Sequence, residues 1–400
     1  MRIRLTQIDG KLPNLALMKL AHYHKARGDE IVFSKQIERP NTELNYDRVY
    51  GSAIFSFSAE RVTKFKQHWP NAFVGGTHNV LDNITVEQML GIEEYEHYDY
   101  SIFPNFEGSI GFTQRGCRLK CGFCVVPKKE GKARSVNTIE QIYRGERTPD
   151  NFKAALKRWK DQFAEHERNK PQLLDLFPSV EEQHKWELQK AALEKDKPGR
   201  YHKLHLHLLD NDFFGQPREQ WQARMREIID GKFKVCFNQG INTRMIDDES
   251  AEALGSIQLY DDSFKTRRLY TAWDNLGDEE RFFKGVDTLE RHGVKPYSLL
   301  VYMLVGYDKR ETWDRVLYRF RRMTERKIRP YPMVYGDRRR QLEPQHPSLG
   351  HRTLAEFQRW AIRKYYTVVS FEDYDGSATE KLVKTADGYQ PLLALTDDSV

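Results

Sequence analysis

The sequence predicts an α/β chain of 400 residues, with a small doubly wound, Rossmann-like unit over 1–105, a run of parallel strand–helix units over 106–335 and a helical extension with a tail over 336–400. Two observations predict this class. Short apolar runs alternate with helix-period segments from the first residues on, and six later runs each end in a cluster of polar residues or glycine. A third feature marks where chemistry is concentrated: Cys117, Cys121 and Cys124, three of the four cysteines, sit in the run Gly-Cys-Arg-Leu-Lys-Cys-Gly-Phe-Cys.

In the first unit, Arg2 to Ile8 reads as a strand, Leu12 to Arg27 as a helix closed by Gly28, and Glu30 to Ser34 as a second strand. Arg48 to Phe57 reads as a third strand, followed by a helix from Ala59 to His68 and a short run, Ala72 to Val74, before Gly75-Gly76-Thr77-His78. The second unit opens with Ser109 to Thr113, which delivers the cysteines from its C-terminal end. Lys203 to Leu209 stops at Asp210-Asn211-Asp212. Phe233 to Phe237 runs into Asn238 to Arg244, with an amphipathic helix from Asp248 to Leu254. Arg268 to Trp273 precedes a helix from Asp278 to His292 closed by Gly293; Leu299 to Val305 is the most apolar strand and Ile328 to Val334 the last. Six strands are fewer than a closed eight-stranded barrel needs. Leu354 to Tyr365 reads as a helix, Thr367 to Phe371 as a short strand, and the chain from Asp373 on as a polar, loosely ordered tail.

The spacing CxxxCxxC lets one loop present three thiolates to one iron-sulfur cube and leaves its fourth iron open. Structural zinc wants a fourth ligand at matching spacing, and Cys236 is distant and alone; an odd trio argues against disulfides and for a reducing compartment. With Phe123 before the last cysteine, the loop resembles that of the radical SAM superfamily, whose members hold a 4Fe-4S cluster in CxxxCxΦC, with Φ aromatic. The runs from Phe237 to Arg244, Ala272 to Asn275 and Val301 to Tyr307 also resemble strand motifs of a branch labelled iron-sulfur oxidoreductases. The resemblance spans Ser109 to Tyr335 and implies a partial (β/α)6 TIM-type barrel. It also implies S-adenosylmethionine (SAM) as co-substrate, reductive cleavage to methionine and a 5'-deoxyadenosyl radical, and an external electron donor of the flavodoxin or ferredoxin type.

Site roles follow from the same resemblance. Cys117, Cys121 and Cys124 are the cluster ligands, with Gly116 and Gly122 relieving crowding, and Phe123 presents its backbone to the adenine or packs as a core aromatic. Asp210 and Asn211 are candidates for the SAM amino group or ribose, set against helix capping by Asp212 and its neighbours. Gln239, Asn242 and Arg244 form a polar set in which Arg244 pairs either with the SAM carboxylate or with Asp247 or Asp248. Trp273 and Asp274 are placed at the floor of the substrate pocket, and Tyr302, Val305 and Gly306 in the last adenine-contacting strands. The Gly-Gly-Glu triplet of many relatives is absent, and Cys236 reads as a buried small hydrophobe.

The first unit resembles the cobalamin-binding domain that precedes many such cores, with a departure. The loop after its first strand, Asp9-Gly10-Lys11-Leu12-Pro13-Asn14, carries no histidine to ligate cobalt, and His78 is the lone candidate beside a solvated-loop reading. Cobalamin is therefore the less favoured cofactor and the unit reads as a degenerate scaffold. Composition, 39% hydrophobic and 30% charged with no bilayer-length apolar run and no signal-type start, points to a cytoplasmic protein away from membranes. A net charge of +6 is compatible with an anionic partner, nucleic acid included, without selecting one. Arg144 to Arg200, broken at Pro171, Phe177-Pro178 and Pro198, reads as inserted helices, either a solvated cover or a docking arm. Lys128, Lys129, Lys132 and Arg338-Arg339-Arg340 are candidates for a basic mouth beside the cysteines. Three function classes remain: a radical SAM enzyme on an unknown substrate, a cobalamin-dependent radical methyltransferase, and an iron-sulfur binding module without SAM cleavage.

Overall fold

The computed structural model describes residues 1–40, 43, 45–78, 86–92, 96–144, 152–170, 180–195, 203–375, 382–385 and 388–391. The first unit contains β1 (Arg2–Gln7), α1 (Leu15–Lys25), β2 (Glu30–Ser34), β3 (Arg48–Ser52), α2 (Ala59–His68), β4 (Phe73–Gly75) and α3 (Val86–Leu90). Its sheet has the order β2-β1-β3-β4 with all pairs parallel. The order reverses direction between β1 and β3, as in doubly wound folds. Helix α1 begins three residues later than the apolar pattern suggests, because Asn14 is its N-cap and its side chain accepts from the Leu17 N–H at 3.1 Å. Strand β3 stops at Ser52 rather than Phe57. Asp9 accepts the Ile54 and Phe55 N–H groups at 2.8 and 3.0 Å, taking those apolar residues out of the sheet and leaving them exposed.

After it come β5 (Ser109–Gly111), β6 (Gln114–Arg115), α4 (Val126–Lys129), β7 (Arg134–Ser135) and α5 (Ile139–Ile142). Helices α6 (Phe152–Arg168) and α7 (Val180–Lys195) follow, then β8 (His205–Leu208), α8 (Arg218–Asp230), β9 (Lys234–Phe237), α9 (Asp248–Gly255), β10 (Gln258–Leu259) and β11 (Leu269–Ala272). The series continues with α10 (Glu279–Arg291), β12 (Leu299–Val305), α11 (Trp313–Glu325), β13 (Arg329–Val334) and α12 (Leu354–Ile362), and a hairpin of β14 (Leu382–Thr385) and β15 (Gly388–Pro391). Strands group as β10-β9-β8-β5 and as β11-β12-β13, the second set all parallel. A parallel bridge between Ile241 and Thr271 links the two groups past the end of β9. All six expected strands are present, and β10 is an additional short one. Thr367 to Phe371 is not a strand: Tyr365–Thr367 forms a 3-10 turn entered through Lys364 at φ 60°.

Strand β12 explains why this sheet is stable. Leu299, Val301, Met303 and Val305 are fully buried on one face, each contributing about 2 kcal/mol. The opposite face carries Leu300, Tyr302 and Leu304, and Tyr302 and Leu304 are only half-buried. The first and second units meet through charge: Glu96 lies 3.4 Å from Lys19 of α1 and 3.3 Å from Arg115.

Residues 107–109 and 144–204 form a separate compact unit. There α6 and α7 pair through a stacked His166–Trp186 contact at 4.9 Å and hydrogen bonds from Trp159 Nε1 to Leu193 O and Trp186 Nε1 to His166 O. The expected breaks at Pro171, Phe177-Pro178 and Pro198, and most of the tail after Asp373, lie outside the described residues. No described helix is long and apolar enough to cross a membrane.

Gly285 of α10 tests how closely α10 approaches the strand ends. A β-carbon there meets Thr243 O at 1.9 Å. Alanine normally gains about 1 kcal/mol in a helix, but overpacking costs about 1–3 kcal/mol. Gly285→Ala is therefore expected to be net destabilising by about 1 kcal/mol, read as a lowered urea midpoint at unchanged slope.

Candidate functional site

The cysteine loop is held at its neck by a two-residue antiparallel pairing, Gln114 with Ser135 and Arg115 with Arg134. Gly116 follows at φ 74°, where a β-carbon would meet Lys132 O at 2.1 Å, so the loop can turn there only as glycine. The Cys117 N–H donates to Gly131 O at 3.2 Å, the Cys124 N–H to Cys121 O at 3.0 Å and the Leu119 N–H to Cys117 Sγ at 3.4 Å. All three cysteines are half-buried. Burial pushes the Cys117 thiol up, reinforced by Asp212, Cys124 and Cys121; burial does the same to Cys124, reinforced by Cys121, Glu130 and Asp274. The sulfurs thus feel one another, and a cation is what would favour their thiolates. Among the described residues, no group of three or more His, Cys, Asp or Glu side chains is arranged to hold a metal ion.

Asp210 and Asn211, expected to contact SAM, and Asp212, expected to cap a helix, all turn onto the cysteine loop itself. Asp210 Oδ1 accepts the Thr113 and Gln114 N–H groups at 2.7 and 3.0 Å, and its other oxygen pairs with the Thr113 hydroxyl. Asn211 donates to Glu130 Oε2 at 2.9 Å, and the same oxygen accepts the Gly116 N–H at 3.1 Å. Asp212 holds Arg118 in a two-pronged pair, Nε at 2.8 Å and Nη2 at 2.9 Å, and accepts its backbone N–H at 3.2 Å. It makes no helix-capping hydrogen bond.

A cavity of about 670 Å³ opens beside the loop, lined by Cys121, Gly122, Phe123, Arg244, Asp274 and Tyr307, among others. Arg244 reaches it from the segment after β9. Its Nη1 donates to Asp278 at 2.6 Å and its Nε to Asn242 Oδ1 at 3.1 Å. Burial works against its charge, but Asp278 and then Cys121 hold it above its ordinary value. Its carboxylate partner is thus Asp278, since Asp247 caps α9 and Asp248 pairs with Arg291 and His292. The Asn242 amide nitrogen is buried with no partner among the described residues. Gln239 is exposed and does not line this cavity.

Phe123 stands edge-on to Tyr307 with ring centres 5.3 Å apart, and Tyr307 edge-on to Tyr335 at 5.0 Å. The floor is charged and buried. Arg319 donates to Trp273 O, Asp274 O and Leu304 O at 3.0, 3.1 and 2.9 Å and pairs with Glu311, which accepts the Gly306 N–H at 2.6 Å. Burial raises Asp274, despite the Leu304 N–H it accepts at 2.9 Å. Val305 is fully buried, and Gly306, at φ 84°, turns the chain where a β-carbon would meet Leu354 at 2.7 Å. Tyr302 lies two positions below Leu304, on the strand face beneath the cavity.

The basic residues singled out in the sequence do not line this cavity. Lys129 donates to Gly76 O at 2.9 Å, Arg338 to Gln358 and Arg340 to Gly306 O. The cavity's cations are instead Arg244, Lys309, Arg310, Arg315 and Arg319. A signal for two of these cations was present: Lys309 and Arg310 lie in the polar run from Asp308 to Glu311, which two residues separate from the most apolar strand. In the first unit, His78 donates its N–H to Ala53 O at 3.2 Å, and its Nδ1 is buried without a partner among the described residues. A wider groove of about 990 Å³ along α9 and α10 contains no cysteine. Comparison of the chain with family models, with curated proteins and with solved structures finds no match in any of the three.

Asp210 gives a sharp test of the loop's anchorage. Burial pushes its carboxyl up to about 7, against the pull of its hydrogen-bond donors. The unfolded value is about 4, so the folded chain holds the extra proton between about pH 4 and 7. Stability conferred by this group falls as pH rises through that window and is level above it. Asparagine can accept both backbone N–H groups and donate to the Thr113 hydroxyl. Asp210→Asn is therefore expected to stay within about 1 kcal/mol of the parent and to flatten this pH dependence, whereas Asp210→Ala strands two buried donors and costs about 2–4 kcal/mol. Chemical denaturation across pH 4 to 8 checks both.

Proposed function

We propose that the chain is a radical SAM enzyme that holds a 4Fe-4S cluster through Cys117, Cys121 and Cys124 and binds SAM in the adjoining cavity. The observation that carries this reading is the joint placement of the CxxxCxxC loop and the cavity: Cys121 lines it together with Arg244 and Asp274, which come from the ends of other strands. The reading rests on that spacing and that cavity, not on a preformed single-ion site. Three half-buried thiols with glycines at positions 116 and 122 suit a bulky cluster that backbone must wrap closely. When bound, such a cluster supplies an electron that splits the SAM sulfonium into methionine and a 5'-deoxyadenosyl radical, with substrate otherwise undefined.

The chain's own residues bind, orient and shield. Arg244, oriented by Asp278 and by Asn242 Oδ1, offers donors for the SAM carboxylate. Phe123 and Tyr307 provide an aromatic wall for a purine. Asp274, which lines the cavity, is placed to accept a hydrogen bond from ribose or amine. We read the strand order β5-β8-β9 followed by β11-β12-β13, joined at Ile241 and Thr271, as a partial (β/α)6 barrel whose strand C-terminal ends face the site. An external electron donor of flavodoxin or ferredoxin type completes the reaction.

Anaerobic reconstitution tests the proposal. The expected product carries about four iron and four sulfide per chain and forms 5'-deoxyadenosine with SAM and dithionite. Alanine at Cys117, Cys121 or Cys124 is expected to abolish this product, and Arg244→Gln to raise the KM for SAM about tenfold, the effect of about 1.4 kcal/mol of lost binding. A chain that retains no cluster overturns the reading. Corrinoid absorption would move it to cobalamin-dependent methyl transfer, and a cluster without SAM cleavage to a binding module.

A further inference from the structure

The strand face beneath the cysteine cavity carries two arginines, Arg268 and Arg329, that make no ion pair with a carboxylate among the described residues. Register sets the layers. Tyr270, Leu300 and Arg329 share one level across β11, β12 and β13, and Ala272, Tyr302 and Tyr331 share the next. Asp274 and Leu304, which line the cavity, continue the same face one level higher. The rings confirm the common face: Tyr270 and Tyr302 stack with centres 5.8 Å apart at 7°, and Tyr331 meets Tyr302 edge-on at 5.8 Å. Strand alternation places Arg268, two residues before Tyr270, on this face as well.

Arg268 and Arg329 are close enough to disturb each other. Arg268 is held below its ordinary value by burial first and by the Arg329 charge second. Its Nη1 donates to a backbone oxygen, Tyr297 O, at 3.3 Å. Arg329 Nε is buried with no hydrogen-bond partner among the described residues. The acid that acts on Arg268, Asp261, already accepts from the Ser263 hydroxyl and the Lys265 and Thr266 N–H groups. Two half-buried guanidiniums on one strand face, the charge of one acting on the other, are costly unless an anion joins them. Their planar forks suit the oxygens of a carboxylate or a phosphate.

We propose that Arg268 and Arg329 form an anion site for a carboxylate or phosphate group on the strand face that also carries Tyr270, Tyr302 and Tyr331. Four residues of strand separate the Arg329 level from the Leu304 level, about 13 Å at ~3.3 Å per residue, so this site is separate from the cysteine cavity and does not rest on the function proposed above.

Calorimetric titration of the full chain with inorganic phosphate and, separately, with acetate at constant ionic strength tests the site and distinguishes the two anions. Saturable binding in the millimolar range or tighter is expected for at least one of them. Arg329→Gln and Arg268→Gln are each expected to weaken it at least tenfold, and Arg329→Lys less. The Cys117/Cys121/Cys124 triple alanine variant is expected to bind as the parent does, so that loss of the cluster reading would leave this result standing. An increase of Tm with the bound anion in the parent, reduced in Arg329→Lys, gives the same answer should a glutamine variant not fold. Absence of saturable binding by either anion, or binding unchanged in folded Arg268→Gln and Arg329→Gln, overturns the proposal.

Discussion

Two carboxylates at the end of β8 decide where the three thiols go. The loop from Gly116 to Cys124 has two glycines, one lysine and an exposed arginine and little apolar surface of its own, so it has no core to fix it. Asp210 removes the freedom of its lead-in strand by taking two backbone N–H groups, and Asp212 removes the freedom of the loop by gripping Arg118 directly after the first cysteine. Both carboxylates are almost wholly buried, so their hydrogen bonds are expensive to leave unmade. The antiparallel neck and the Asn211–Glu130–Gly116 chain then close the loop from its other side.

A second buried charge organises the opposite wall. Arg319 is a helix residue with its guanidinium under the strand ends, where it satisfies three carbonyls that the end of a parallel sheet leaves open. Glu311 balances its charge and turns the chain at Gly306. The result is a rigid floor made of polar groups that are already paired, which leaves Lys309, a lining cation with no hydrogen-bond partner among the described residues, still able to respond to an incoming molecule. This division between spent and unspent polar groups gives the cavity its direction.

Much of the fold was legible because burial wrote it into composition. Strand β12 matches its apolar run residue for residue, and α2 matches its amphipathic pattern. The pattern failed where apolar residues are not buried or where β-branched residues lie in a turn. Ile54 and Phe55 extend a strand on paper but are taken up by Asp9, and Val368 and Val369 suggest a strand that the left-handed Lys364 prevents. At the site, the cysteine spacing is a local signal and could be read directly. The partners of charged residues are not local: Asp247 and Asp248 lie next to Arg244 in sequence, yet Asp278 from the following strand–helix connection reaches it in space. The polar trio follows β8 as its sequence position implies, but nothing in a single sequence says whether such side chains face a ligand or their own loop.

Glu96 carries a further implication. The same carboxylate sits between Lys19 on the first sheet's helix and Arg115, two positions before the first thiol, and burial of Arg115 makes that counter-charge costly to lose. The two α/β units are therefore poor candidates for separation by a cut near residue 105. A shortened chain would keep every cysteine and every strand from β5 on while taking the nearer of two counter-charges from the guanidinium at the root of the loop, with Glu130 left at 3.7 Å, so the leading unit serves as an electrostatic footing of its neighbour.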